Sequence, residues 1–249
     1  ALPILKIAVI GSGISGLACA YELHRDHDVH VLESEHRVGG HTATVDVVIG
    51  GRQFAIDTGF IVFNDWTYPR FIELMEKLGV SSKPTEMSFS VSDTASGLEY
   101  AGTSINSLFA QRKNVLSPRY WRMLSDIVRF NRESVKDLDE GRVPADMTLG
   151  EYLRMHKYGE TFVDSYLIPM GSAIWSADTS QMIDFPLQFF VRFFRNHGLL
   201  SVTNRPQWRV IEGGSREYIR PLTAGFAHNI RTNTPVRGVR RLADGVERS

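Results

Sequence analysis

Apolar positions recur along this chain with two different periods. Ile4 to Ile10 is a nearly continuous, β-branched apolar run closed by glycine, which predicts a buried strand. From Ile14 to Arg25 the spacing changes: Leu17, Ala18, Tyr21 and Glu22 recur as on a helix, and Val29 to Leu32 is a second short apolar run. Strand, helix and strand within 33 residues predict a βαβ unit and hence a parallel sheet. Thr42–Ile49 and Arg52–Ile56 flank Gly50-Gly51, a two-residue hairpin signal. Tyr68–Leu78 reads as a helix stopped by Gly79, and Met87–Val91 with Leu98–Ala101 as another strand pair.

From Ser104 to about Leu200 the pattern is helical and rich in aromatics, with helix starts near Ser117, Thr148, Glu160 and Pro186. Strand patterning returns at Arg209–Glu212, Asn229–Thr232 and Val236–Arg240, with a helix over Ser215–Leu222 after Gly213-Gly214. The expected fold class is α/β, a doubly wound sheet with an inserted, mostly helical domain. The expected divisions are 1–66, 67–207 and 208–249, the first and last forming one domain. Both ends read as cut. Ala1 is not an initiator Met, and the strand PVRGVRR, a turn at Ala243-Asp244-Gly245 and a return strand from Val246 stop at Ser249, inside a hairpin.

The composition narrows the class. At 249 residues with 43% hydrophobic and 22% charged positions, the chain is globular and long enough for a sizeable core, so disorder is excluded. Twenty-eight basic residues balance 28 acidic ones, which argues against nucleic acid as a partner. The single cysteine, Cys19, rules out a disulfide framework or a cysteine-based zinc site, and reads as a small core residue of the first helix. No run is long enough to span a membrane and no signal peptide is visible, so a cytoplasmic location is expected.

Gly11-Ser12-Gly13-Ile14-Ser15-Gly16 carries the clearest chemistry. It follows the first strand and opens the first helix, the context in which a GxGxxG turn meets a dinucleotide. Gly11 makes the tight turn, Gly13 admits a pyrophosphate against the backbone, and Gly16 allows close helix–strand packing. The helix N-terminus offers amides and the positive end of its dipole. Glu33 closes the second strand, 22 residues after Gly11, where a carboxylate accepts hydrogen bonds from a ribose diol, with Ser34 beside it. NAD and FAD both carry an ADP half that this unit suits. Arg37-Val38-Gly39-Gly40 favours FAD, because it adds a second close backbone approach and a cation for the diphosphate.

Residues 7–41, IAVIGSGISGLACAYELHRDHDVHVLESEHRVGGH, resemble the N-terminus of the flavin-containing amine oxidase superfamily, which includes monoamine oxidases, protoporphyrinogen oxidase and phytoene desaturases. Asp57-Thr58-Gly59 is similar to the family's D-x-G segment, where the chain passes the flavin. Trp208 to Gly214 resembles its W-x-x-x-x-G-G element, and Thr234-Pro235-Val236 the strand whose valine backbone contacts adenine. DTGFIVFN, FAQRKN, AIWSA and FFRNHGLL are similar to the predicted NAD/FAD-binding, amine-oxidase-like subgroup. The resemblance implies an FAD-dependent oxidoreductase that moves a hydride from a C–N or C–C bond of a small-molecule substrate to flavin. His41 departs from the family, many of whose members carry Arg there, and the family's C-terminal flavin segment is absent, so no catalytic residue is transferred.

Other features have competing readings. Ser117-Pro118 opens a helix with Tyr120, Trp121, Met123, Leu124, Ile127, Val128 and Phe130 on one half and Arg119, Arg122, Arg129 and Arg132 on the other. It suits either a core-facing helix or a peripheral membrane contact. Leu187–Leu200 is apolar nearly all round and suits core packing or a pocket for an apolar, lipid-like substrate. His24, His27, His30, His36 and His41 lie between the first helix and the second Gly-Gly; the first three span a helix end, a turn and a strand and have no cysteine partner, so no metal site is expected. The alternatives to a flavoenzyme are an NAD-dependent dehydrogenase and a non-enzymatic lipid or prenyl-protein carrier on the same fold.

Overall fold

β1 (Lys6–Ile10) ends at Gly11, whose φ of +91° turns the chain into α1 (Ile14–Leu23). The computed structural model describes residues 3–94, 96–175, 177–201, 205–242 and 245–248. The first elements continue with β2 (Asp28–Leu32), the hairpin β3 (Thr44–Ile49) and β4 (Arg52–Asp57), β5 (Phe63–Asn64), α2 (Pro69–Leu78) and β6 (Ser82–Thr85). There follow β7 (Ser90–Asp93), β8 (Leu98–Ala101), α3 (Ile105–Leu108), α4 (Pro118–Asp139), α5 (Leu149–Met155), α6 (Glu160–Phe162), α7 (Ile168–Trp175), α8 (Thr179–Met182) and α9 (Leu187–Asn196). The chain closes with β9 (Trp208–Ile211), α10 (Ile219–Thr223), β10 (Ile230–Arg231), β11 (Val239–Arg241) and β12 (Val246–Arg248).

Two units emerge, Ala1–Thr85 with Trp208–Ser249, and Glu86–Gln207. The first boundary therefore lies at 85/86 instead of the expected 66/67. The reason is packing: Phe71 of α2 meets Phe63 at 5.0 Å and Tyr218 at 5.7 Å, and β6 pairs antiparallel with β9.

In the first unit, β1, β2 and β10 form a parallel sheet with β2 in the middle. Leu17 and Ala20 of α1 pack on Val29 and Val31 of β2, joined by Leu222 and Phe226. Each of the Leu, Val and Phe side chains contributes about 1.5–3 kcal/mol when fully buried. The expectation that β1 is buried is corrected. Ile7 and Val9 face this core, but β1 is an edge strand and Ile10 is 57% exposed. Cys19 is also exposed and does not belong to the core, because α1 buries Leu17 and Ala20 instead. β11 begins at Val239, three residues later than expected, and pairs with β12. Of the predicted turn between them, Ala243 and Asp244 lie outside the described residues.

The second unit is built round Phe130 of α4, whose ring meets Tyr152, Tyr158, Phe162 and Phe190 within 5.6–6.3 Å. Ser117 caps α4 by accepting the Tyr120 amide, with Pro118 at the first position. Thr148 and Glu151 form a reciprocal capping box on α5. Most of the apolar half of α4 faces this core: Tyr120, Met123 and Phe130 are buried, whereas Trp121 and Val128 of that half are exposed. α9 is corrected likewise. It buries Leu187, Phe190, Val191 and Phe194 on one face, and its other side carries Arg192 and Arg195. Among the described residues, no helix is long and apolar enough to cross a membrane.

Candidate functional site

The glycine turn and the second Gly-Gly are clamped together. The Gly11 amide donates to Leu32 O at 2.8 Å, holding the turn on the end of β2. The Gly39 amide donates to Ser12 O at 3.0 Å, and Gly13 and Gly39 form an isolated parallel bridge. A Cβ on Gly40 would stand 3.0 Å from Gly13 Cα, and one on Gly16 would stand 2.1 Å from Gly11 O. Gly40 and Gly16 are thus glycine because backbone occupies the space. Gly11 and Gly13 differ, since a Cβ there meets nothing within 4 Å. Above Gly13 the backbone faces open space, and no side chain caps α1, half-buried Ile14 and exposed Ser15 being its first residues.

Glu33 lies behind this turn, 7% exposed. Its Oε2 accepts the Ser12 amide at 2.7 Å and the Ser12 hydroxyl at 2.5 Å; its Oε1 accepts the Glu35 amide at 2.9 Å and the Ser34 hydroxyl at 3.2 Å. Burial alone would raise the carboxyl. The hydrogen bonds from Glu35, Ser12 and Ser34 outweigh it and lower the pKa to about 2. Ser12 is fully buried and acts from behind the turn, whereas Ser34 is exposed.

Arg37 closes the second loop, donating to Thr42 O and Gly40 O, each at 2.7 Å. Carbonyl partners leave its positive charge uncompensated. His41 is exposed, and its carbonyl accepts the Phe60 amide at 2.9 Å. Gly59 passes so close to that carbonyl that a Cβ would stand 2.2 Å from it. Thr58 donates its amide to Ala43 O. Asp57 faces the opposite way. Its carboxylate accepts the Thr44 hydroxyl at 2.6 Å, the Ser215 hydroxyl at 2.8 Å and the Ser215 amide at 2.9 Å. It therefore pins the turn at Gly213-Gly214, both at positive φ.

Val236 lies in the irregular stretch before β11, not in a strand. That stretch is anchored where the Thr234 amide donates to Glu33 O at 2.7 Å. Sequence reading passed over Thr42, Thr44, Ser215 and Tyr218. Thr42 Oγ1 and Tyr218 Oη are hydrogen-bonded and buried, tying the second glycine loop to the returning segment. The signal for Ser215 was its place after Gly213-Gly214, where a hydroxyl begins a helical turn.

The residues present suit a dinucleotide: open backbone at Gly11 and Gly13, an uncapped helix N-terminus, an ionised carboxylate beyond the second strand and a cation on the neighbouring loop. Residues 14–249 match the family model described as flavin containing amine oxidoreductase. No curated protein matches the chain. Among solved structures, cyclohexylamine oxidase from Brevibacterium oxydans IH-35A is 19% identical, with a TM-score of 0.72 over 99% of this chain and 55% of its own. A triple mutant of putrescine oxidase with redesigned cofactor binding is 18% identical, with a TM-score of 0.64 over 99% of this chain and 55% of its own. These likenesses are of fold, and the chain spans about half the length of both structures.

Proposed function

The chain belongs to the flavin-containing amine oxidoreductases, a family whose cofactor is FAD, and from this we propose that it holds FAD on the Gly11–Gly16 turn and serves the oxidation of an amine. The observation that carries the reading is the open backbone at Gly13, with Gly40 pressed against it and Glu33 behind. The α1 amides and the exposed Arg37 receive the diphosphate. Glu33 receives the ribose, whose hydroxyl takes the place of the exposed Ser34 hydroxyl on Oε1 while Ser12 keeps Oε2. Gly39, Gly40, His41 and the Asp57-Thr58-Gly59 segment form the path along the rest of the cofactor, and the stretch leading to Val236 borders the adenosine. When bound, FAD supplies a hydride acceptor for the C–N bond of a small-molecule substrate.

The second unit supports a substrate with an apolar part. Trp175 stands 4.7 Å from Phe185 and 4.8 Å from Phe193, and Phe189 extends this group of rings to the surface. Absorbance spectra of the purified protein, followed by anaerobic mixing with polar and apolar amines, test the reading. Flavin bands that bleach with an amine, more readily with an apolar one, are expected. A colourless protein reduced only through a nicotinamide would favour a dehydrogenase. A flavin that no substrate bleaches would favour a carrier.

A further inference from the structure

Between Glu99 and Asp126 the chain contains four cations, Arg112, Lys113, Arg119 and Arg122, and no acidic residue. The same segment exposes three large apolar side chains: Leu116 is 88% exposed, Ile105 80% and Trp121 50%. We propose that residues 105–122 form a docking surface for an anionic lipid membrane, with Leu116, Ile105 and Trp121 entering the interface and the segment's basic residues, Arg112 and Lys113 foremost, meeting its negative charge.

The segment is held in shape, so its exposure is not that of a loose loop. Arg112 donates to Asn106 Oδ1 at 2.5 Å and to Phe109 O at 3.1 Å, and the Tyr120 hydroxyl donates to Leu108 O at 2.5 Å. These bonds tie α3 and the turn before α4 to the first turn of α4. The Trp121 indole donates to Val115 O at 2.8 Å and stands 5.3 Å from Phe109, leaving its outer part in solvent. A ring with one end hydrogen-bonded and one apolar edge exposed suits the boundary between headgroups and acyl chains.

Charge complementarity selects the partner. Arg112 spends its hydrogen bonds on neutral oxygens, Arg119 donates to the Thr161 hydroxyl, and Arg122 reaches a carboxylate only at 4.0 Å, on Asp126. Their charges therefore remain available. Exposed apolar side chains in a segment with four cations and no carboxylate match a negatively charged bilayer surface, which attracts basic residues and accepts the apolar tips. Trp121 is the part of the apolar half of α4 that this surface uses; Tyr120, Met123 and Phe130 of that half face the core of the second unit.

Flotation of the purified protein with vesicles of phosphatidylcholine alone, or with phosphatidylserine added, tests this proposal. The protein is expected to float with the phosphatidylserine vesicles at low salt and to release as salt rises. Paired substitution Arg112→Glu with Lys113→Glu should weaken this at least about tenfold. Leu116→Glu with Ile105→Glu should abolish it while the melting temperature stays near that of the parent, because both side chains are largely exposed. A parent that stays with the buffer, or a Leu116→Glu/Ile105→Glu protein that floats like the parent, would overturn the proposal. So would a dimer that Leu116→Glu dissolves without any vesicle binding, since a second copy would then cover this surface.

Discussion

Glu33 and Ser12 are bonded twice across the first turn: one carboxylate oxygen accepts the Ser12 amide at 2.7 Å and its hydroxyl at 2.5 Å. The carboxylate proposed to receive the ribose is therefore also the strut that holds the glycine turn. Glu33→Ala should cost roughly 1–3 kcal/mol of stability, because the Ser12 amide is left buried without an acceptor. FAD affinity should fall at least about tenfold. Ser34→Ala should leave both nearly unchanged, since its hydroxyl is exposed and, in the proposed complex, gives way to the ribose. Titration calorimetry and melting curves on the two variants separate the roles, and equal affinity in Glu33→Ala and parent would remove Glu33 from the site.

The same carboxylate predicts a pH dependence. Its pKa is lowered to about 2 from an ordinary 4.5. A lowered carboxylate stabilises the fold fully above pH 4.5 and loses that contribution as pH falls towards 2. The contribution is roughly 3 kcal/mol. Urea midpoints measured down this window should fall more steeply for the parent than for Glu33→Gln. Parallel curves would contradict the buried, hydrogen-bonded geometry.

Gly16 is a packing glycine and Asp57 a packing carboxylate, and each can be tested without cofactor. Gly16→Ala puts a Cβ 2.1 Å from the Gly11 carbonyl, and overpacking of this kind costs roughly 1–3 kcal/mol or more. Its melting temperature should drop, where a phosphate-contact glycine would leave it unchanged.

Asp57→Ala strands the Ser215 amide and the Thr44 hydroxyl, with an expected loss of roughly 1–3 kcal/mol. Hydrogen exchange at the Ser215 amide should accelerate strongly. Unchanged exchange would show that the Gly213-Gly214 turn holds itself.

Local signals were legible in the sequence, and distant ones were not. The Gly11–Gly16 turn could be read because its spacing and context are demanding. The caps at Ser117 and Thr148 could be read because hydroxyls at those places have one local partner each. Asp57 could not, because its partner Ser215 is 158 residues away. The burial of β1 was misjudged because an apolar run says nothing of whether both faces of a strand are covered, and only Ile7 and Val9 are. The aromatics of α9 hid its polar side, where Arg192 and Arg195 alternate with rings. The domain boundary was placed early because α2 shows an ordinary helical pattern; only its contacts with Phe63 and Tyr218 assign it to the first unit.

The central claim, that the backbone at Gly13 receives the diphosphate of FAD, is tested most directly by titrating FAD into the parent and Gly13→Val while following the melting temperature of each. Gly13 has φ −66° and ψ 170°, a backbone any residue adopts, and a Cβ there meets nothing within 4 Å. The variant should therefore melt without cofactor at the same temperature as the parent and yet fail to bind FAD or to gain stability from it. A Gly13→Val protein that binds FAD with the parent's dissociation constant would contradict the account.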